Sequence, residues 1–328
     1  MKVLKENDFK TFERLCALSQ KGLKKTMATF LKSKYKKVVD TNDYIIAEGD
    51  IPIALVAHMD TVFPRPTEEV YYDRVKNVIW GSNGLGADDR AGVFAIIQIV
   101  RKGLRPHIIL TTDEEKGAIG AYALASAEQA PKGLRYIIQL DRRGADDCVF
   151  YDCANEKFVD YVEDFGFTEA VGSFSDISII CPEWKIAGVN LSIGYENEHS
   201  FSEILHVGHM LNTIDKVVKM LQQPMDKVPT FEYITNKHSG IYWWRRPSAT
   251  PLKKHDPTAC VKCKTKLSKE ELIPAKTSDF KWNYYCADCI VDNIDFCSCC
   301  GEAYEIPSEG EKMSLCEDCY YDFYYSGY

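Results

Sequence analysis

The sequence predicts an α/β fold, a mixed and mostly parallel sheet flanked by helices, followed by a small cysteine-rich zinc-binding domain. Three observations carry this. Short runs dense in Ile, Leu and Val at Ile53–Ala57, His107–Thr111 and Arg135–Leu140 read as strands buried on both faces. Helical patterns at Asp89–Arg101 and Ala118–Ala127 alternate with them, as in sheets covered on both sides. Nine of the 13 cysteines fall between Cys260 and Cys319, whereas Cys16, Cys148, Cys153 and Cys181 are scattered, so the C-terminal part has its own chemistry.

In order, Phe9–Ser19 and Leu23–Tyr35 carry helical periodicity, with Gly22 as the expected break. Val38–Ile46 reads as a hairpin turning at Thr41-Asn42-Asp43. After the three buried strands, a strand near Val149–Tyr151, a helix at Glu156–Phe165, a strand at Ile186–Ile193 and a helix at His206–Gln223 follow. From Pro224 to Pro257, five prolines and the run YWWRRPSATPLKK interrupt the pattern. The expected division is therefore a domain over 1–224, a linker or strap over 225–257 and a cysteine module over 258–328. The Trp243–Trp244 pair reads as packing.

Hydrophobic residues at 45 % and charged residues at 27 % are ordinary for a globular chain. No apolar run reaches the length of a membrane span. The opening MKVLKENDFKTFERL lacks the apolar core of a secretory signal, so a cytoplasmic location and reduced thiols are expected. A net charge of −8 argues against nucleic acid or anionic membrane as the main partner.

The three buried strands each exit into groups that bind metals. The first ends at His58 and Asp60, the second at Asp113, Glu114 and Glu115, the third at Asp141. Open sheets of this class collect their ligands at the carboxyl ends of the strands. The glycines of GSNGLGADDRAG allow a tight turn that sets Asp88 and Asp89 at a helix start, and YENEHSFSE adds His199. So many carboxylates cannot all ionise together without a cation. Imidazole and carboxylate without thiolate suit zinc, manganese or cobalt. The set suffices for two metals about 3.5–4 Å apart with one bridging carboxylate and one left as a base. Singly each piece is weak: H-x-D is usually structural, D-D usually caps a helix, and E-E is often a solvated first turn. Their joint occurrence at successive strand ends points to a metal. The set does not need His206 and His209, which read as structural.

The segments HMDTV, GLGADDRAG, TTDEEKGAIGA, LD and NEHSFSE together resemble the successive motifs of the zinc exopeptidase superfamily. That group holds peptidase T, related carboxypeptidases and deacylases, and the tetrahedral aminopeptidases; the peptidase T-like members are nearest in wording. The resemblance covers roughly residues 5–224. It implies two catalytic divalent metals, with zinc favoured over manganese or cobalt. His58 and Asp141 would be terminal ligands of one, Glu115 and His199 of the other, and Asp88 would bridge. Glu114 would be the general base, passing a proton from the attacking water to the leaving amine, and Asp60 would orient His58. A cis peptide between Asp88 and Asp89 is also implied. The metals would lower the pKa of water and stabilise the tetrahedral oxyanion.

The expected activity is that of an aminopeptidase on short peptides, because a free amine can be held by carboxylates near the metals. An N-acyl-amino acid deacylase or carboxypeptidase is the enzymatic alternative, with Arg90, Arg142 or Arg143 holding the substrate carboxylate. A non-catalytic adaptor built on a retired hydrolase is the third. The chain departs from the family in length: 57 residues separate Asp141 from His199 and 29 separate His58 from Asp88. Neither interval has room for the lid or insertion domain of those enzymes.

The C-terminal cysteines form four C-x-x-C pairs: Cys260/Cys263, Cys286/Cys289, Cys297/Cys300 and Cys316/Cys319, spaced by 22, 7 and 15 residues. Eight thiolates suit two closed structural zinc sites. Sequential pairing, similar to tandem treble-clef or LIM-like fingers, is the first reading and a cross-braced pairing the second. Cys299 is one too many and competes with Cys300. Residues 258–328 hold 7 Lys, no Arg and 13 Asp or Glu, a net charge of −6. This disfavours a phosphate backbone and leaves a protein partner or an architectural role.

Overall fold

The computed structural model describes residues 2–224, 226–235, 259–268, 271–276, 282–286, 288–289, 294–296 and 303–305. The chain divides into two compact units, Met1–Gly240 and Ile241–Tyr328.

The first unit opens with α1 (Glu6–Cys16) and α2 (Gln20–Lys32), then β1 (Lys37–Asp40), β2 (Tyr44–Glu48), β3 (Ile51–His58), β4 (Val70–Asp73) and β5 (Val78–Gly81). It continues through α3 (Ala87–Arg101), β6 (Pro106–Thr111), α4 (Ile119–Ala127), β7 (Tyr136–Arg142), β8 (Asp147–Val149), α5 (Glu156–Glu163) and β9 (Thr168–Glu169). It closes with α6 (Asp176–Trp184), β10 (Gly188–Ser192), β11 (Tyr195–Glu196), β12 (Ile204–His206) and α7 (Val207–Leu221).

Eight strands form the main sheet in the order β1-β2-β6-β3-β7-β10-β8-β9. The four central strands β6, β3, β7 and β10 are parallel; β1, β2 and β8 join antiparallel to their inner neighbours. This is the mixed, mostly parallel α/β sheet that the sequence predicts. Alternation along β3 shows how both faces are buried. Ile53, Leu55 and Ala57 enter one apolar core with Phe12, Leu23, Phe94 and Val217 from helices α1, α2, α3 and α7. Ala54 and Val56 enter the other with Ala121 and Leu124 of α4 and Ile177 and Ile180 of α6. A second, four-stranded sheet has the order β11-β12-β5-β4.

One expectation is corrected. The break between the first helices falls at Ser19, not Gly22: the Ser19 side chain accepts the Gly22 N–H at 3.2 Å and starts α2 with the glycine inside it. The first compact unit runs past Pro224. Phe231 is buried against Tyr136, Phe158 and Tyr161, and its backbone exchanges hydrogen bonds with Arg135 and Ala187. Trp243 and Trp244 lie outside the described residues.

In the second unit, β13 (Ile273–Lys276), β14 (Trp282–Tyr285), β15 (Ile294–Phe296) and β16 (Ala303–Glu305) pair in the order β14-β13-β16-β15. Among the described residues no helix is long and apolar enough to cross a membrane.

Candidate metal centre

The carboxyl ends of the parallel strands converge as their sequence order suggests. His58 is the last residue of β3, and Asp141 is the last but one of β7. Glu114 and Glu115 follow β6, Asp88 opens α3, and His199 sits in the loop between β11 and β12. Gly86 precedes α3 with φ +68°, a conformation glycine adopts without penalty. At Gly92 a Cβ would stand 2.4 Å from both the Leu140 carbonyl and an Asp89 oxygen, so its bare backbone lets α3 seat against β7. The peptide between Asp88 and Asp89 is cis.

Three ligand groups result: His58, Asp88 and Asp141; Asp88, Glu115 and His199; and His58, Glu114 and Glu115. The first two share Asp88 and divide its oxygens. Oδ1 lies 2.9 Å from His58 Nε2, and Oδ2 lies 3.3 Å from His199 Nε2. Asp141 Oδ1 stands 3.5 Å from the same His58 nitrogen, and Glu115 Oε1 stands 3.1 Å from His199 Nε2. Glu115 Oε1 is buried without a hydrogen-bond partner, although ion-paired to His199. Two imidazole nitrogens, each bracketed by carboxylate oxygens and sharing one bidentate acid, fit a pair of divalent cations.

Electrostatics in the bare protein reflect the crowding. Burial pushes Glu114 up to about 9, reinforced by the charges of Asp141, Asp176 and Glu115. Burial and Asp88 raise Asp141 to about 7. The carboxylates of Asp88 and Glu115 beside it raise His199 to about 11. Burial alone would raise Asp88, but His199 and His58 hold it below the ordinary carboxylate range. Carboxylates this close and this buried cannot all ionise together unless a cation joins them.

Asp60 lies behind the ligands. Its Oδ1 meets His58 Nδ1 at 3.2 Å and accepts the Glu114 N–H at 3.0 Å, and its Oδ2 accepts the Glu115 N–H at 3.1 Å. One carboxylate thus fixes an imidazole and the backbone of two acids.

No family model matches the sequence, and no curated protein matches it. Solved structures do match. A tripeptidase from Staphylococcus aureus aligns with TM-score 0.52 and 14 % identity over 67 % of this chain and 98 % of that one. A TET aminopeptidase from a Thaumarchaeota archaeon aligns with TM-score 0.54 and 13 % identity, over 66 % and 96 %. Aminopeptidase PepT from Bacillus cereus aligns with TM-score 0.50 and 16 % identity, over 67 % and 98 %. The chain shares the fold of these peptidases.

Several supporting residues escaped the reading of the sequence. Glu203 is buried, and its carboxylate accepts the N–H groups of Gly86 (2.5 Å) and Asp88 (3.0 Å), tying the His199 loop to the turn that carries Asp88. It stands in NEHSFSE, the segment that drew attention to His199. Asp89 accepts the backbone N–H of His58 and of Gly92. Ser175, Tyr195 and Gln139 donate to Asp141. Buried Asp176 accepts from Thr111 and has one oxygen without a hydrogen-bond partner. His206 pairs with Glu196 at 3.4 Å, and among the described residues neither it nor His209 joins a metal-ligand group.

In the second unit Cys260, Cys263, Cys286 and Cys289 bring their sulfurs within 4.8 Å of one another. The first pair lies on a tight turn, where Cys260 N–H donates to Thr265 and Lys264 N–H to Cys260, and the second pair follows β14. Burial would raise the Cys260 thiol, but N–H groups of Cys286, Cys263 and Lys262 bring it down to about 6, where a thiolate is available near neutral pH. Cys297, Cys299, Cys300, Cys316 and Cys319 lie outside the described residues.

Proposed function

We propose that this chain is a metal-dependent amide hydrolase, an aminopeptidase acting on short peptides. The observation that carries the reading is the division of Asp88 between two ligand groups, with Glu114 alongside. His58, Asp88 and Asp141 would hold one divalent cation, and Asp88, Glu115 and His199 the second; zinc suits the donor set best. When bound, the cations supply an acidified water and polarise the scissile carbonyl. Glu114 belongs to neither pair of terminal ligands, and its raised proton affinity suits it to take a proton and return it to the leaving amine. Asp60 keeps Glu114 and His58 in register through the three bonds it accepts.

The three arginines that a carboxypeptidase or deacylase would use are committed elsewhere, which favours the aminopeptidase reading. Arg90 donates to the carbonyls of Met59 and Leu18, Arg142 reaches the Val171 carbonyl and Asp147, and Arg143 pairs with Glu198 at 3.0 Å. In the second unit we propose a structural zinc on Cys260, Cys263, Cys286 and Cys289, and a second on Cys297, Cys300, Cys316 and Cys319.

The test is hydrolysis of a mixed peptide library by zinc- or manganese-loaded protein, with Glu114→Gln as control. Stepwise loss of N-terminal residues, abolished in Glu114→Gln at unchanged metal content, is expected. Release of only C-terminal or acylated residues would replace this reading with the deacylase or carboxypeptidase one. No amide turnover with both metals bound would favour the adaptor.

A further inference from the structure

Asp113 is the residue at which the chain, having left β6, turns toward Glu114 and Glu115. Its φ of +53° is left-handed, a conformation that aspartate tolerates better than most residues but that costs any residue with a Cβ. Such a conformation persists where the surroundings hold it, and here the peptide planes on both sides of Asp113 are held. In the plane before it, the Asp113 N–H donates to Gln20 Oε1 at 3.0 Å and the Thr112 carbonyl accepts the Gly120 N–H at 2.9 Å. In the plane after it, the Asp113 carbonyl accepts the Ile119 N–H at 3.1 Å and the Glu114 N–H donates to Asp60 at 3.0 Å. Ile119 and Gly120 belong to α4, into which this same loop leads. Gln20 and Asp60 are therefore the partners that tie the turn to distant parts of the fold.

Gln20 opens α2, 93 residues before Asp113, and it grips that residue twice. Besides accepting the backbone N–H, its Nε2 donates to Asp113 Oδ1 at 3.3 Å. Lys116 Nζ reaches the same oxygen at 2.7 Å, but it is 70 % exposed and rides on the same loop, so it anchors the turn to nothing outside it. The side chains of Glu114 and Glu115 take their direction from the backbone that Asp113 turns. We propose that Gln20 is a positioning residue of the metal centre: by holding the Asp113 amide and carboxylate it keeps Asp113 left-handed, and so aims Glu115 at the second cation and Glu114 at the attacking water. For Glu114 this rests on the hydrolase reading above; for Glu115 it rests on the pair of cations alone.

The test is Gln20→Met, which keeps the length of the side chain and removes both hydrogen bonds. Zinc affinity is read by competition with a chromogenic chelator, kcat and KM with a short peptide, and stability by melting of the metal-free protein. Partners that orient a ligand typically contribute 10–100-fold, and Asp60 stays in place, so a fall of about tenfold in zinc affinity and in kcat, at unchanged KM, is expected. Asp113→Gly supplies a second background. Glycine takes a left-handed φ without strain, so there the same Gln20 substitution should change zinc affinity and kcat by less than about twofold. A Gln20→Met protein indistinguishable from wild type in both readings, or a loss of the same size in the Asp113→Gly background, would overturn the proposal. So would a lowered melting temperature with zinc affinity and kcat intact, which leaves Gln20 a stabilising residue only. If wild-type protein with both cations bound turns over no peptide, the hydrolase reading fails, and the chelator titration in the two backgrounds still decides the role of Gln20.

Discussion

Replacing Asp60 with asparagine changes one atom in the frame behind His58. The carboxylate receives three donors: His58 Nδ1 and the Glu114 N–H on one oxygen, and the Glu115 N–H on the other. Asparagine has one acceptor oxygen. If it keeps the first two donors, its amide nitrogen faces the Glu115 N–H, so a charge-assisted bond is lost and two donors meet in a buried place. The expected loss of unfolding free energy in the metal-free protein is about 2–4 kcal/mol. The imidazole also loses the carboxylate that fixes its orientation and basicity, which lowers metal affinity about 10–100-fold. Burial would raise the Asp60 carboxyl, but His58 and the two amides hold it below its ordinary value of 3.8. Its contribution is therefore fully present above that value and is lost as pH falls through the lower folded value, so the cost of Asp60→Asn should shrink in strong acid. Urea unfolding in the presence of chelator gives the first quantity, and competition with a chromogenic chelator the second. Metal affinity within about twofold of wild type, with unfolding changed by less than about 0.5 kcal/mol, would refute the argument that Asp60 sets His58.

Metal binding near neutral pH should release protons, because His199 at about 11 and Asp141 at about 7 hold protons that ligation displaces. Calorimetry of zinc binding in buffers of different ionisation enthalpy measures this, and a buffer-independent enthalpy would contradict it. His107 is buried, accepts the Gly49 N–H on Nδ1 and has its pKa lowered by burial from 6.5. The unfolded chain therefore binds the proton first, and stability should fall as pH drops below about 6.5. Relative to a His107→Gln variant, the wild type should lose about 1 kcal/mol between pH 7.5 and 5.5 in urea titrations. Cys286→Ser should lower zinc content by one equivalent per chain and leave the metals of the first unit in place, as read by elemental analysis of each variant.

Most of the candidate ligands were legible because His58 and Asp141 end strands, Glu114 and Glu115 follow one and Asp88 opens a helix, positions that hydrophobic runs mark clearly; His199 lies in a loop and was marked only by its segment. What supports the ligands was less so. Ser175, Asn190 and Tyr195 reach Asp141 or its backbone from positions 34 to 54 residues away. β12 pairs with β5 across more than a hundred residues, which no local pattern announces. Helix α6 went unseen because it is nine residues long and carries Pro182. Gly22 was misread as a breaker because the capping role of Ser19 outweighs the low helix propensity of glycine. Glu203 was visible in NEHSFSE, but an acid that accepts backbone amides looks in sequence like one that faces water.

The two halves of the centre differ in how deeply they sit. The His58 side chain is 1 % exposed and Asp141 8 %, whereas His199 is 52 % exposed. A cation held as proposed at the outer position would lose one of its three ligands by a swing of the loop imidazole into solvent, whereas one at the inner position would lose none unless the strand ends or the start of α3 parted. The two equivalents should therefore leave in a fixed order and on different clocks. Dialysis against a weak chelator would strip the outer ion within the time of a purification, and protein prepared that way would reach the assay half-loaded and be scored as inert.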